Sequence, residues 1–426
     1  MSYADSIGKN IVICCDGTGN VIGPDHTNVV KLVRSIKKDL GGQCVFYDPG
    51  VGTSGSQNAL TRISKTITKV MGLAIGSGIH HNIKEAYQYL MNHYEEGDKV
   101  FLFGFSRGAY TVCALAGVLN RCGLLEKGND NLVDLALSMY QNSWKSEEEA
   151  VSTKLFKATF GSTCKPHFLG IWDTVASVGW LSNSNPFPSA SRNPDVAHVR
   201  HAISIDERRI KFPVELWQTP AGAEDQDVKE VWFAGVHSDV GGGYTEEESG
   251  LSKIALEWML HEAQQLGLKI DENKCLETLG VKEQIEKENM SRSIEHDSFL
   301  ALPEEYNEMV QPPDPKGILH NSLNGFWVLL DRLIASFTTK KYGDYRPIPD
   351  NAKIHVSALM RWKEYNTEKG KVKYAPENLA PFINQLDDGW EEKVQDSYAY
   401  YYGESYSELP DWVIQREMVH YEIESF

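Results

Sequence analysis

The chain has 426 residues, enough for one large domain with insertions or for two domains of ordinary size. Acidic residues outnumber basic ones by 59 to 42, and the formal charge of −17 argues against a nucleic-acid partner and against non-specific attraction to anionic lipid. The seven cysteines are odd in number and include no C-x-x-C pair, so they predict reduced thiols in a reducing compartment.

The first residues, MSYADSIGKN, lack the basic and apolar regions of a signal peptide, and no apolar window reaches 18 residues. These features predict a cytoplasmic protein without a transmembrane helix. They are also compatible with export by a secretion system that needs no signal peptide.

Five short apolar runs predict buried β-strands. In chain order they are NIVICCD (10–16), QCVFYDPG (43–50), DKVFLFGF (98–105), HFLGIWD (167–173) and EVWFAGVH (230–237). Segments of helical length alternate with them, at residues 27–40, 81–94, 108–120 and 250–266. The alternation predicts an α/β fold with a mostly parallel sheet and helices on both faces. After residue 270 the pattern predicts a less regular helical region, with one helix at residues 324–337.

The carboxyl ends of the predicted strands carry the side chains of a hydrolytic site. In open α/β sheets, active sites lie at these ends. The first two runs lead to Asp16 and Asp48, the third to Ser106, the fourth to Asp173 and the fifth to His237. A serine, a histidine and several carboxylates are therefore expected at one edge of the sheet, as a Ser-His-Asp triad requires.

Ser106 lies in GFSRG (104–108), a G-x-S-x-G sequence. Alone the pattern is weak evidence, and a spectator serine in a glycine-lined turn is the alternative. Here it follows a strand and precedes a helix, and Gly104, Gly108 and Ala109 supply the small residues that a tight nucleophile elbow needs. We therefore interpret Ser106 as a catalytic nucleophile.

A nucleophilic serine needs a histidine base and a carboxylate that orients it. His237 is the candidate base, because it ends a buried strand and enters the glycine-rich loop SDVGGGY; a hydrogen-bonded loop histidine is the alternative. Asp173 is the preferred acid, since it ends the strand that follows the elbow strand in sequence. Asp239 is the alternative acid, although we expect it to bond loop amides.

The oxyanion hole needs two hydrogen-bond donors. The backbone N–H of Arg107, which follows the nucleophile, is the expected first donor. Gly17 and Thr18, after the first strand, are expected to supply the second, because glycine lets the backbone approach closely. Asp16 precedes them and is either a substrate contact or a turn-forming residue.

Five ordered motifs resemble an α/β-hydrolase-like family of mostly uncharacterised proteins, which includes the catalytic domain of type VI secretion phospholipase effectors. They are CDGTGN, GFSRGAY, GIWDTV, RHAISIDERR and GVHSDVGGGY, within residues 9–260. The resemblance implies a serine esterase or lipase with Ser106 as nucleophile, His237 as base and Asp173 as acid. For such a site we expect no cofactor and no metal. The resemblance also implies that HAISIDERR (201–209) is a helix-and-loop segment near the site. There Arg208 and Arg209 either bind a phosphate of the substrate or form structural salt bridges.

On this basis we expect a catalytic core over residues 9–265 and an accessory or lid region, residues 266–426, packed on it. Lipid or phospholipid acyl esters are the predicted substrates, with transient contact to a membrane surface. Two apolar segments are candidates for an acyl pocket or flap: ITKVMGLAIGSGI (67–79), with Leu73 and Ile75 as substrate contacts, and NGFWVLLDRLIASF (324–337). Core packing is the alternative for both.

Two other functions stay open at this point. The first is a metal-assisted phosphoryl hydrolase, in which Asp16, Asp48, Asp239 and His237 surround a divalent cation. It leaves the elbow glycines unexplained. The second is a non-catalytic binding protein on a hydrolase scaffold, and the complete set of triad residues counts against it.

Overall fold

The structure is a computed structural model, which describes residues 8–17, 26–39, 41–50, 75–175, 191–281, 310–367, 373–390, 394 and 413–414. Ten strands occur in these residues: β1 (Asn10–Cys15), β2 (Gln43–Asp48), β3 (Lys99–Phe105), β4 (Leu124–Leu125), β5 (Gly161–Ser162), β6 (Pro166–Trp172), β7 (His198–Ser204), β8 (Asp227–Phe233), β9 (Lys353–His355) and β10 (Val413–Ile414). Eight of them form one sheet in the order β10-β9-β8-β7-β6-β3-β1-β2. All neighbouring pairs in this sheet are parallel, while β4 and β5 form a separate antiparallel pair.

The described helices alternate with the strands of the large sheet along much of the chain. They are α1 (Asn28–Ser35), α2 (Ile75–His93), α3 (Arg107–Cys122), α4 (Val133–Asn142), α5 (Glu147–Phe160), α6 (His237–Gly241), α7 (Gly250–Gln265), α8 (Glu272–Leu279), α9 (Gly325–Phe337), α10 (Val356–Thr367) and α11 (Ala380–Ile383). Within the described residues, every helix is too short or too polar to cross a bilayer.

Two hydrophobic cores cover the two faces of the sheet. Side chains alternate along a strand, so Ile11 and Ile13 of β1 pack with α2, α3, α4 and α5 on one face. Val12 and Cys14 of the same strand pack with α1, α7 and α8 on the other. The near-continuous apolar sequence of β1 is explained by this double burial. The predicted α/β fold, with a parallel sheet and helices on both faces, is confirmed.

Residues beyond 265 take part in the same sheet. Ile354 of β9 is opposite Trp232 of β8. Both side chains belong to a third buried cluster, which also includes Leu359, Leu379 and Phe382. The C-terminal region therefore supplies a strand and buried side chains next to β8, and the boundary at residue 265 stays a prediction.

The prediction of a helix-and-loop segment at residues 201–209 is wrong for its first part, because residues 198–204 form strand β7. Every residue of β7 is in register with β8. The sequence pattern did not predict this strand, because two of its residues, Arg200 and His201, are polar. In the structure both are buried against specific hydrogen-bonding partners. Arg200 donates to Glu262 at 2.5 Å, and His201 Nδ1 lies 3.0 Å from Glu230 Oε1. With these partners, a central strand tolerates charged and polar residues.

The prediction of a glycine-rich loop after β8 is also wrong in part. β8 ends at Phe233, and residues 237–241 form the short helix α6. Asp239 favours this helix, because its Oδ2 accepts a hydrogen bond from the Val236 amide at 3.0 Å, which satisfies a donor at the helix start. The other four predicted strands agree with the observed ones to within two residues at each end.

Candidate active site

Ser106 lies in a tight turn between β3 and α3, with φ of 57° and ψ of −119°. A positive φ is costly for a residue that has a Cβ, so the surrounding packing must hold it. Gly104 makes the turn possible, because a Cβ there would lie 2.5 Å from the carbonyl oxygen of Gly108. The amide of Ser106 donates to the carbonyl oxygen of Trp172 in β6 at 3.1 Å, which ties the turn to the neighbouring strand.

Three predicted site residues meet at the carboxyl edge of the sheet. His237 Nε2 lies 2.8 Å from Ser106 Oγ, and His237 Nδ1 lies 2.6 Å from Asp173 Oδ2. Ser106 follows β3, Asp173 follows β6, and His237 follows β8, so the parallel strands bring the three side chains together. At these distances a histidine can take the hydroxyl proton of a serine while a carboxylate holds its other ring nitrogen.

Two aromatic rings enclose the imidazole of His237. The ring centroids of Phe105 and Phe212 lie 4.7 and 5.0 Å from the centroid of His237. Burial disfavours the imidazolium form and lowers the pKa of His237, although Asp173 opposes this shift. His237 is therefore neutral, and able to accept a proton, at neutral pH.

Asp173 is fully buried and accepts hydrogen bonds on both oxygens. Oδ1 accepts from the amide and the hydroxyl of Ser204, each at 2.9 Å, and from Arg346 Nη1 at 2.6 Å. Oδ2 accepts from Arg346 Nη2 at 3.1 Å besides its contact with His237. Burial alone would raise the pKa of Asp173, but the charge of Arg346 and the contact with His237 hold it well below its usual range. The carboxylate is therefore ionised.

A second buried carboxylate, Glu207, supports the backbone at His237. Its Oε2 accepts from the His237 amide at 3.3 Å and from Arg209 Nη2 at 2.8 Å, and its Oε1 accepts from Ser322 Oγ at 3.0 Å. Burial alone would raise the pKa of Glu207, but the charge and hydrogen bonds of Arg209 lower it to about 2. The guanidinium of Arg209 also lies 3.5 Å from the ring centroid of Phe212. Glu207 thus holds the backbone of His237, and Arg209 packs against Phe212, which is one of the two rings that enclose the imidazole.

Ser204, Glu207 and Arg346 contact the candidate triad but were not predicted from the sequence. Glu207 lies in the motif IDERR, directly before Arg208. Its place in this motif was therefore a signal for a buried role at the site. Ser204 ends the strand that was not predicted. Arg346 lies far from every motif, and its contact with Asp173 depends on the tertiary fold.

The hydrogen-bond donors of the oxyanion hole stay a prediction. Arg107 is the first residue of α3, so its N–H has no partner within the helix and lies at the positive end of the helix dipole. The Gly17 N–H donates to its neighbour Asp16 Oδ1 at 2.7 Å. Thr18 lies outside the described residues.

The three carboxylates of the metal hypothesis have separate protein partners. Asp16 Oδ2 accepts from Thr27 Oγ1 at 2.6 Å and from the Tyr47 hydroxyl at 3.0 Å. Asp48 Oδ1 accepts from the Gly50 amide at 2.8 Å, and burial raises the pKa of Asp48. Among the described residues, no three His, Cys, Asp or Glu side chains converge as metal ligands.

Asp239, the alternative acid, points to a different histidine. Its Oδ1 lies 2.6 Å from His320 Nδ1, and its Oδ2 accepts from the amides of Val236 and His320 at 3.0 and 3.1 Å. The structure thus pairs Asp173, and not Asp239, with the His237 ring.

The predicted substrate contacts outside the triad lie in several places. Arg208 Nε donates to the carbonyl oxygen of Gly343 at 2.9 Å, and its guanidinium lies 5.1 Å from the ring centroid of Tyr345. Ile75 begins α2, and Leu73 lies outside the described residues. The roles of these residues as substrate contacts stay predictions.

The family model described as T6SS, Phospholipase effector Tle1-like, catalytic domain matches residues 9–262. The chain belongs to this family. The Tle1-like match contains Ser106, Asp173 and His237, and it ends before Arg346. It is in agreement with the family that the five sequence motifs resemble.

Several individual proteins are similar to this Tle1-like chain. Uncharacterized protein YEL023C of Saccharomyces cerevisiae is 39% identical over 225 residues, which make up 50% of this chain and 33% of that protein. The match thus spans a third of the length of the yeast relative. Among solved structures, an uncharacterized protein from Pseudomonas aeruginosa has 20% identity and a TM-score of 0.36, covering 62% of this chain and 47% of that one. The Tle1 effector bound to the VgrG spike has 20% identity and a TM-score of 0.32, covering 57% and 53%.

Proposed function

We propose that the chain is a serine hydrolase that cleaves carboxylic esters, with lipid or phospholipid acyl esters as its substrates. The observation that carries the proposal is the continuous contact from Ser106 Oγ through the imidazole of His237 to the carboxylate of Asp173, at 2.8 and 2.6 Å. The strained backbone of Ser106 supports it, since such strain is expected where a nucleophile is held in a tight turn. Membership of a family described as phospholipase effectors supports the substrate class.

In the proposed acylation step, Ser106 Oγ attacks the carbonyl carbon of the ester while His237 Nε2 takes the hydroxyl proton. Asp173 holds the Nδ1–H of the imidazole and stabilises the imidazolium that forms. The carbonyl oxygen becomes negatively charged and is stabilised by the N–H of Arg107 at the start of α3. The intermediate then collapses, the C–O bond to the alcohol breaks, and His237 returns the proton to the leaving oxygen.

The deacylation step repeats this sequence with water as the nucleophile. His237 Nε2 takes a proton from water, and the hydroxide attacks the acyl carbon of the Ser106 ester. The proton then returns to Ser106 Oγ, and the carboxylic acid is released. The rings of Phe105 and Phe212 limit access of water to the imidazole, which strengthens the electrostatic contacts inside the site.

Helix α9 supports a lipid substrate, because it combines a buried face beside the site with an exposed apolar face. Trp327 lies on the inner face, and its ring centroid is 5.2 Å from that of Phe212. On the outer face, Leu329, Leu333 and Phe337 are 70, 55 and 81% exposed. Apolar side chains at this spacing form one stripe along a helix and suit contact with acyl chains or with a membrane surface.

Labelling with a fluorophosphonate probe, together with hydrolysis of p-nitrophenyl esters, tests the proposal. We expect covalent labelling of wild type that a chelator does not reduce, and no labelling of Ser106→Ala. The loss of kcat should be about 10³-fold or more. Ser138→Ala, on the exposed side of α4, is the matched control and should behave as wild type. Hydrolysis by Ser106→Ala at the wild-type rate would rule out Ser106 as nucleophile, and sensitivity to the chelator would favour the metal alternative.

A further inference from the structure

Arg346 makes the most extensive side-chain contact with the proposed catalytic acid. Its Nη1 and Nη2 atoms lie 2.6 and 3.1 Å from the two oxygens of Asp173, so the pair is bidentate. Nη1 also lies 2.7 Å from Ser204 Oγ, which itself donates to Asp173. Nε and Nη2 donate to the carbonyl oxygen of Phe212 at 2.9 and 2.6 Å. The guanidinium thus links the Asp173 carboxylate to the backbone of Phe212, whose ring is one of the two that enclose His237.

The surrounding chain holds Arg346 firmly in this place. Its side chain is buried, with 6% of its surface exposed. The backbone before it is fixed by Arg208, whose Nε donates to the carbonyl oxygen of Gly343. Its own carbonyl oxygen accepts from Asn378 Nδ2 at 3.0 Å, and the same amide donates to the carbonyl oxygen of Ile205 at 2.9 Å. Contacts on both sides therefore keep the guanidinium against Asp173.

We propose that Arg346 is a positioning residue for the ester hydrolysis proposed above: it fixes the Asp173 carboxylate in the orientation that presents Oδ2 to His237. The proposal rests on the proposed function. It also means that residues outside the Tle1-like match, which ends at residue 262, complete the site.

The physical reason is the cost of a buried carboxylate. Without Arg346, the ionised Asp173 carboxylate would lose two charged hydrogen-bond donors and would rotate away from its place. A rotated carboxylate would no longer hold the Nδ1–H of His237, and the imidazole would lose the tautomer with a free Nε2. A cation at this position also disfavours the imidazolium form of His237, since both charges lie against the same carboxylate. Arg346 is thus expected to affect the rate and the pH dependence together.

Other charged or titratable groups also face this pair. Glu207 and Arg209 face His237 from the turn after β7. His201 Nε2 accepts from the amide of Thr174 at 3.2 Å, directly after Asp173. None of these groups is changed in the test below, so a shift that follows replacement of Arg346 is attributable to that residue.

The test compares Arg346→Met with Arg200→Met. Arg200 is a matched control, because it is also buried and ion-paired, to Glu262 and Asp227, but lies near the amino end of β7, away from the site. Two quantities are measured: kcat and KM for a p-nitrophenyl ester from pH 4.5 to 9, and the titration of the His237 ring by NMR of the full chain with labelled histidine, assigned with His237→Gln.

For Arg346→Met we expect a loss of about 100-fold in kcat with little change in KM. The acid limb of kcat/KM and the His237 titration should both move to higher pH by about 1 unit, because a cation is removed near the imidazole. Arg200→Met should keep the wild-type titration and pH profile, even if it melts at a lower temperature. An unchanged His237 titration and an unchanged kcat in folded Arg346→Met would overturn the proposal.

A second variant covers the case in which Arg346→Met does not fold. Arg346→Lys keeps the charge but loses the bidentate geometry, so kcat should fall while the acid limb stays near its wild-type position. A wild-type kcat in Arg346→Lys would then overturn the positioning role. If wild type itself hydrolyses no ester and is not labelled at Ser106, the proposed function fails instead, and the NMR titration still measures the coupling between Arg346 and His237.

Discussion

Gly108 lies directly against the carbonyl oxygen of Cys15, and a Cβ on Gly108 would approach that oxygen to 2.0 Å. The first turn of α3 thus rests on the end of β1, next to the turn that holds Ser106. Both contacting groups belong to the backbone, so neither can move without shifting a central strand or the helix.

We therefore expect Gly108→Ala to destabilise the fold by about 3 kcal/mol or more. Thermal and denaturant unfolding measure the change. Gly41→Ala is the control, since its nearest contact is the Asp39 carboxylate at 3.6 Å, and its stability should stay near that of wild type. A Gly108→Ala protein as stable as Gly41→Ala would contradict the close packing of α3 on β1.

The choice between the two candidate acids gives a second prediction. Asp173→Asn should misorient the imidazole of His237 and reduce kcat by about 10⁴-fold. Asp239→Asn should cost far less, because Asp239 contacts His320 and backbone amides instead of the His237 ring. Steady-state kinetics on one soluble ester decides the order. A larger loss for Asp239→Asn would reassign the acid and leave Ser106 as the nucleophile.

A third prediction concerns pH. Burial lowers the pKa of His237 from its ordinary value of 6.5, so the base should stay neutral and active in mildly acidic solution. The acid limb of kcat/KM should therefore lie below pH 6.5. By linkage, the unfolded chain binds this proton more readily than the folded chain, so the contribution of His237 to stability falls as the pH drops below 6.5. A pH-rate profile with its acid limb above 6.5 would contradict the buried neutral imidazole.

The exposed stripe of α9 gives a fourth prediction. Leu333→Asp should weaken hydrolysis of phospholipid vesicles while leaving hydrolysis of a soluble acetate ester nearly unchanged. The lost apolar contact is about 2 kcal/mol, or about 30-fold in apparent affinity for the vesicle. Leu155→Asp is the matched control, because Leu155 is 63% exposed on α5. Equal losses on vesicles for the two variants would remove the support that α9 gives to a lipid substrate.

The sequence was sufficient to bring Ser106, Asp173 and His237 together, because their position depends on a simple rule. Apolar runs identify buried parallel strands, and the residues after such strands share one edge of the sheet. No tertiary detail is needed for that inference.

The sequence was not sufficient where tertiary partners override a local pattern. β7 carries the polar residues Arg200 and His201, and contacts with Glu262, Asp227 and Glu230 offset the free-energy cost of burying them. The sequence was also not sufficient to predict the role of Arg346, because its neighbours in sequence show no periodic pattern or motif. Its position against Asp173 depends on how β9 and its flanking chain lie beside β8.

The contact between Arg346 and Asp173 joins residues that are 173 positions apart in the chain. A ribosome synthesises the chain from its N-terminus, so Ser106, Asp173 and His237 all leave the exit tunnel before Arg346 is added. A nascent chain that does not yet include Arg346 contains Asp173 without the cation that neutralises it. The proposed catalytic centre is therefore completed only after Arg346 has been added, although its three central residues are made earlier.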